Sequence, residues 1–241
     1  MKTIFHPASE RGHVNFGWLD SYHSFSFGNW QDPEKVHFGA LRVLNDDRVN
    51  GGSGFPAHPH DNMEIVSIPL EGALAHKDST GTDGVIKTGD VQIMSAGTGI
   101  RHSEMNASKT DPARFLQIWV FPKLEDGKPR YDQKAFDSKE RKNKWQIVVS
   151  PNEKDGGVWI NQDSRFALVD LEAGKQLTYT PAFKGNGVYV FLIDGEIEIS
   201  GQKLGKRDAV GISGTDNFNI IANQDSKILA IEVPMAIDNN N

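Results

Sequence analysis

Apolar and polar residues alternate along this chain with a period of two, in short runs punctuated by glycine, proline and asparagine. The alternation predicts strands over 23–28, 38–44, 63–70, 73–77 and 90–94, and a strongly apolar one over 114–121. Asp32-Pro33, Asn45-Asp46-Asp47, Glu71-Gly72 and Pro122 read as the turns that end them. Gly51 to Pro56 reads as a loop, Asp78 to Gly84 as a hairpin connection, and Phe25 and Phe27 as core. Many short strands at regular spacing predict a sandwich or small barrel. The stretch from Lys123 to Lys144 turns polar and reads as a linker, with Ser138 to Lys144 a solvated charge run, before a strand resumes at Trp145.

Two blocks recur in the same order. Leu70-Glu71-Gly72-Ala73-Leu74 is echoed by Ile193-Asp194-Gly195-Glu196-Ile197, and Asp90 to Ser95 by Asp208 to Ser213. Two related β domains follow, the first over 1–135 and the second over 136–241.

Composition sets limits on this picture. The 241 residues suffice for a substantial core without covalent staples. Cysteine is absent, which excludes disulfides, iron–sulfur clusters, thiolate zinc sites and a cysteine nucleophile. Lys+Arg number 26 against 32 Asp+Glu, a net charge of −6 with no basic run. That balance argues against direct nucleic-acid or anionic-membrane binding. The start of the chain lacks a signal-peptide pattern and no run approaches a membrane span, so a soluble cytoplasmic protein is expected.

The candidate chemistry lies in two short motifs. His58-Pro59-His60 and His102-Ser103-Glu104 each place two donors at i and i+2, on one face of an extended strand. On neighbouring strands the two pairs would converge four nitrogen and oxygen ligands on one point, a donor set suited to a first-row divalent metal. An isolated His-x-His is more often an ordinary pair of histidines; the second matched pair, in a frame of Gly51, Gly52, Gly54, Gly97 and Gly99, reverses that judgement. No Gly-Lys-Ser/Thr follows these glycines, so a phosphate loop is not indicated. Glu64 shares the apparent strand parity of His58 and His60, so spacing alone allows either Glu64 or Glu104 as the carboxylate. His6, His13, His37 and His76 read as surface or hydrogen-bonded residues, and His23 as core packing or a pocket wall.

Gly52 with His58, His60 and Glu64 resembles the first cupin motif, and Gly89 through His102 and Asn106 the second. The spacer from Glu64 to Gly72 is one residue longer than usual, and Ser95 stands where the second motif often has proline. More specifically, Phe25-Ser26-Phe27-Gly28, the run Phe38 to Asp46, His58-Pro59-His60 and the run Met94 to Glu104 resemble the pirin family, closest to its bacterial members described as quercetin 2,3-dioxygenases. The resemblance is strong over roughly the first 135 residues and weak beyond.

It implies an all-β bicupin, two antiparallel jelly-roll barrels packed together, with one metal in the first. It implies His58, His60, His102 and Glu104 as ligands, leaving Glu64 to orient a ligand from behind. No histidine follows His102, and matching the repeat blocks sets Pro181 and Phe183 against the first pair and Ile220 and Ala222 against the second. The resemblance further implies oxidative flavonol cleavage with dioxygen and release of carbon monoxide, in a mostly apolar pocket. Glu104 would double as the catalytic base. Fe(II) is the ion it favours, with zinc, manganese, copper, nickel and cobalt compatible with the donors. The partners are then a small aromatic substrate and dioxygen, for a protein expected to be a monomer. The family implies a rival reading, a redox-sensing regulator that binds a protein partner. A cupin acting on a small acid would need a cationic anchor, for which Arg42 and Arg101 are the candidates.

Overall fold

The computed structural model describes residues 1–236. Strands account for nearly all of its regular structure. In the first part of the chain they are β1 Lys2–His6, β2 Gly12–Asn15, β3 Leu19–His23, β4 Leu41–Val49, β5 Gly54–His60, β6 Glu64–Glu71, β7 Ala73–Asp78, β8 Asp83–Lys87, β9 Asp90–Ser95, β10 Ile100–Asn106, β11 Ala113–Val120 and β12 Arg130–Ala135. The remainder are β13 Gln146–Ser150, β14 Val158–Trp159, β15 Arg165–Leu171, β16 Gln176–Tyr179, β17 Asn186–Asp194, β18 Glu196–Ile199, β19 Gln202–Gly205, β20 Ala209–Ser213, β21 Phe218–Ala222 and β22 Ser226–Pro234.

They form two jelly-roll halves, each a seven-stranded sheet facing a four-stranded one. The first half pairs the order β12-β9-β6-β11-β4-β3-β2 with β5-β10-β7-β8; the second pairs β1-β20-β17-β22-β15-β13-β14 with β16-β21-β18-β19. The sheets of each half stay separate, so these are sandwiches with open edges rather than closed barrels. Among the named strands, pairing is antiparallel except between β13 and β14. β1 leaves the half that its position in sequence suggests: Lys2 to His6 pair with Ser213 to Ala209.

The two large sheets pack face to face, and their contact is a continuous apolar core. Val66, Ile68, Leu116 and Ile118 from one side meet Tyr189, Phe191, Leu229 and Ile231 from the other, all buried. Because period two sends alternate residues to opposite faces, Ile65, Ser67, Gln117 and Trp119 point into the first sandwich instead. Strands buried on both faces read as near-continuous apolar runs, which explains the sequence of β11.

Three sequence expectations are corrected. The stretch 23–28 is not a strand, because β3 ends at His23 and the chain then closes a tight turn in which Ser26 bonds the backbone of Asp32. Asn45-Asp46-Asp47 does not stop β4, which continues to Val49 because buried Asp46 and Asp47 find partners in Arg207 and Ser21. The polar stretch 123–144 is not a free linker, since its β12 pairs along the whole of β9.

Candidate metal centre

β10 lies between β5 and β7 in the small sheet, with His102 opposite His58 on one side and Asp78 on the other, and Glu104 opposite His76. As alternate residues of β10, His102 and Glu104 project together into the sandwich. Ring centroids lie 4.8 Å apart for His58 and His60, 4.5 Å for His58 and His102, and 4.9 Å for His60 and His102. The ligand atoms of these three histidines fall within 4.8 Å of one another. Glu104 groups with His102 and His76 inside the same radius rather than with the His58–His60 pair. The structure thus brings three of the expected residues to one point and sets the fourth beside it, sharing His102.

Each group is held from behind. His58 Nδ1 meets the Pro56 carbonyl at 2.8 Å, and His60 packs edge-on against Trp119, with centroids 4.9 Å apart. Ser67 Oγ donates to Glu104 Oε1 at 3.1 Å, and Gln117 Nε2 to Oε2 at 2.7 Å. His102 and Glu104 are buried, while His58 and His60 stand half-exposed at the open side. Burial, reinforced by neighbouring histidines, lowers His102 to about 3; burial and His58 lower His60 to about 4. Both rings are therefore neutral at ordinary pH, with lone pairs free of proton competition. Burial raises the Glu104 carboxyl. Both nitrogens of His102 are buried without a partner. Orphaned imidazole nitrogens beside a carboxylate are what a first-row divalent metal would satisfy, so the residues fit one.

Glu64 is corrected. The parity argument assumed one unbroken strand, but Asn62, at φ 42°, breaks the chain between β5 and β6 and carries it from the small sheet to the large one. Glu64 therefore faces the other half, accepting from Ser95 Oγ at 2.9 Å and from the Asn161 backbone at 3.1 Å. Of the two cationic candidates for an acidic substrate, both bond backbone carbonyls, and Arg101 stands at the rim beside His60. Arg42 bonds the carbonyls of Ser26 and Val36, and exposed Arg101 bonds that of Ala57. The remaining histidines have local roles: His6 bonds Tyr189, His13 bonds Asp20, His37 bonds the Gly39 carbonyl, and buried His23 packs against Phe27.

Sequence reasoning missed the support. His76 is hydrogen-bonded as expected, but to Asp78 in the interior beside Glu104. The signal was present in His76-Lys77-Asp78, a third i, i+2 pair. The interior is also more polar than expected. Cross-strand neighbours His23, Asn45, Gln117, Ser67, Gln92 and Gln133 form one row across the inner face of the large sheet.

The second half supplies an internal comparison. Counting from the matched turns at Gly72 and Gly195, His76 corresponds to Ile199; cross-strand pairing then matches Glu104 with Ile220, His102 with Phe218 and His58 with Tyr179. This corrects the sequence matching by two residues, because the stretch from Asp90 to His102 is longer than that from Asp208 to Phe218. Tyr179 and Phe218 stack at 5.7 Å where the histidines stand in the first half. Ala167, Ala230, Val190 and Val210 replace the polar row.

A paired jelly roll whose imidazole–carboxylate cluster, among the described residues, is confined to the first half defines a bicupin with a candidate metal centre there. Residues 5–120 match the family described as Pirin, and residues 147–233 the one described as Quercetinase C-terminal cupin domain. The chain belongs to the pirin family. It is 41% identical over 227 residues to a quercetin 2,3-dioxygenase of Escherichia coli (strain K12), covering 94% of this chain and 96% of that protein. It is 37% identical to a pirin-like protein of Caulobacter vibrioides, covering 94% and 97%. The crystal structure of bacterial pirin YhhW from Escherichia coli in complex with nickel(II) superposes with a TM-score of 0.92 at 38% identity, covering 98% of this chain and 100% of that one.

Proposed function

We propose that this chain is a metal-dependent dioxygenase that cleaves flavonols such as quercetin with dioxygen and releases carbon monoxide. The observation that carries this reading is the convergence of His58, His60 and His102 beside a buried carboxylate, Glu104, in a chain 41% identical to a quercetin 2,3-dioxygenase. We take His58, His60, His102 and Glu104 as the ligands of one divalent ion, with Fe(II) as the resident. When bound, the ion supplies a Lewis acid that favours the ionised 3-hydroxyl of the flavonol.

The chain's own groups supply the rest. Ser67 and Gln117 fix the Glu104 carboxylate, so one of its oxygens is positioned to receive the 3-hydroxyl proton. Trp119 backs His60 edge-on and fixes its ring. A depression of about 270 Å³, bounded by Pro59, His60, Thr98, Gly99 and Arg101, opens beside half-exposed His60 and gives a flat substrate its approach. We further propose that the protein acts as a monomer, because its two large sheets already cover each other's apolar faces.

The test is anaerobic reconstitution with Fe(II), then quercetin turnover in air, followed by flavonol absorbance and carbon monoxide release. Turnover that needs the metal and is lost in His60→Ala supports the reading. A bound metal without turnover on any flavonol overturns it in favour of the redox-regulator alternative.

A further inference from the structure

His76 lies outside the four side chains that the proposed function uses, yet its setting is that of a metal ligand. The ring is fully buried. Its Nε2 meets Asp78 Oδ2 at 2.9 Å, and Asp78 Oδ1 is held in turn by the Thr80 hydroxyl at 2.6 Å and the Thr80 backbone N–H at 2.8 Å. A neutral ring that donates Nε2–H to this carboxylate carries its lone pair on Nδ1. That nitrogen is buried without a partner. An imidazole clamped by a carboxylate on one nitrogen, with the other bare, is how proteins present histidine to a metal. The ligand atoms of His76, His102 and Glu104 lie within 4.8 Å of one another. Packing alone does not call for a histidine, since Ile199 fills the equivalent place in the second half, where His58, His102 and Glu104 are also replaced by apolar residues.

We propose that the pocket offers a divalent metal two overlapping positions that share His102. The outer one is formed by His58, His60 and His102, the inner one by His76, His102 and Glu104, with Asp78 orienting the His76 ring. The outer position has only neutral donors and faces solvent; the inner one is wholly buried and adds a carboxylate, which offsets the cost of desolvating a dication. An ion therefore arrives at the outer position and is held most tightly when the inner donors take part. The inference rests on the proposed function in taking this cluster to bind one divalent metal, and refines its ligand set: Glu104 joins the three outer histidines only as the ion engages the inner position, where His76 is a further donor.

The experiment is Ni(II) titration calorimetry on chelator-treated protein, with the number of coordinating imidazoles counted by pulsed EPR on the Cu(II)-loaded form. The double variant His58→Ala/His60→Ala is expected to keep one equivalent of Ni(II), bound about 10- to 100-fold more weakly than wild type and with two imidazoles remaining. Adding His76→Leu should abolish that binding. Adding Asp78→Asn instead, an isosteric change that keeps the ring but removes its carboxylate clamp, should weaken it about tenfold or more. The inference is overturned if the double variant, folded by its thermal melt, takes up no Ni(II). It is equally overturned if the His76→Leu or Asp78→Asn addition leaves the affinity unchanged. Failure of the wild type itself to bind metal would remove the proposed function instead, a separate result.

Discussion

Burial acts on Glu64 and Glu104 in the same direction, with different consequences. Glu64 is raised from its ordinary 4.5 to about 6, because burial disfavours its charge more than Asn161 and Ser95 favour it. The folded chain then binds this proton more tightly than the unfolded one. The group's stabilisation is full below pH 4.5 and is lost as pH rises through 6, a change of about 2 kcal/mol. Glu64→Gln keeps acceptor and shape without the titration, so its stability relative to wild type should rise by about 2 kcal/mol from pH 4 to pH 7 in urea unfolding. Parallel pH profiles for the two proteins would contradict this. Glu104 is raised at the reacting site, and Glu104→Gln should lower flavonol turnover by roughly 10²- to 10⁴-fold, measured at matched metal content. Spacing of two is a local property, so the sequence offered His58, His60 and His102 with either Glu64 or Glu104, and the resemblance to pirins favoured Glu104. Spacing misjudged Glu64 because the break at Asn62 is not local, and it undervalued His76 because burial depends on strands far away in the chain.

Among the strands, those with an apolar face were legible and those without were not. β6, β9 and β11 carry core residues and stand out in the hydrophobic pattern. β12, Arg-Tyr-Asp-Gln-Lys-Ala, has no buried residue and reads as linker, yet it pairs with β9 from Arg130 to Ala135. β1 is mostly exposed as well, and its pairing with β20 spans nearly the whole sequence, beyond the reach of any local pattern. Its ladder and the His6–Tyr189 hydrogen bond at 2.9 Å together contribute about 2–3 kcal/mol. Deleting residues 1–6 should therefore lower Tm by roughly 4–12 °C while leaving Ni(II) affinity at the distant centre unchanged. A melt identical to that of the full chain would show that β1 adds nothing.

Across the molecule, the two halves are joined by the apolar core and by polar contacts, among them an ionic one at buried Asp46. Asp46 of β4 accepts from Arg207 Nε at 2.6 Å, with Arg11 at 3.9 Å, and both Asp46 and the Arg11 side chain are buried. Asp46→Ala would leave two guanidinium groups without their counter-charge and should cost about 3–5 kcal/mol in chemical unfolding. Asp46→Asn, which keeps an acceptor, should cost less, and equal losses would contradict the ionic account. Metal acts on the same balance from the other side: Ni(II) at about 100 times its Kd should stabilise the folded chain by about 2.7 kcal/mol, read as a rise in Tm that chelator reverses. The faint repeat of sequence blocks was enough to expose the duplicated architecture, but not which strand crosses between the copies.

That crossing strand also sets an order of events during synthesis. Residues 2–6 leave the ribosome first, but their partners, 209–213, are made last but for two strands. At about 5–20 residues per second the first strand waits roughly 10–40 s for a place to dock. Every strand that carries His58, His60, His76, His102 or Glu104 has emerged well before then. The donors of the metal centre are thus all made while the first strand still lacks its partner.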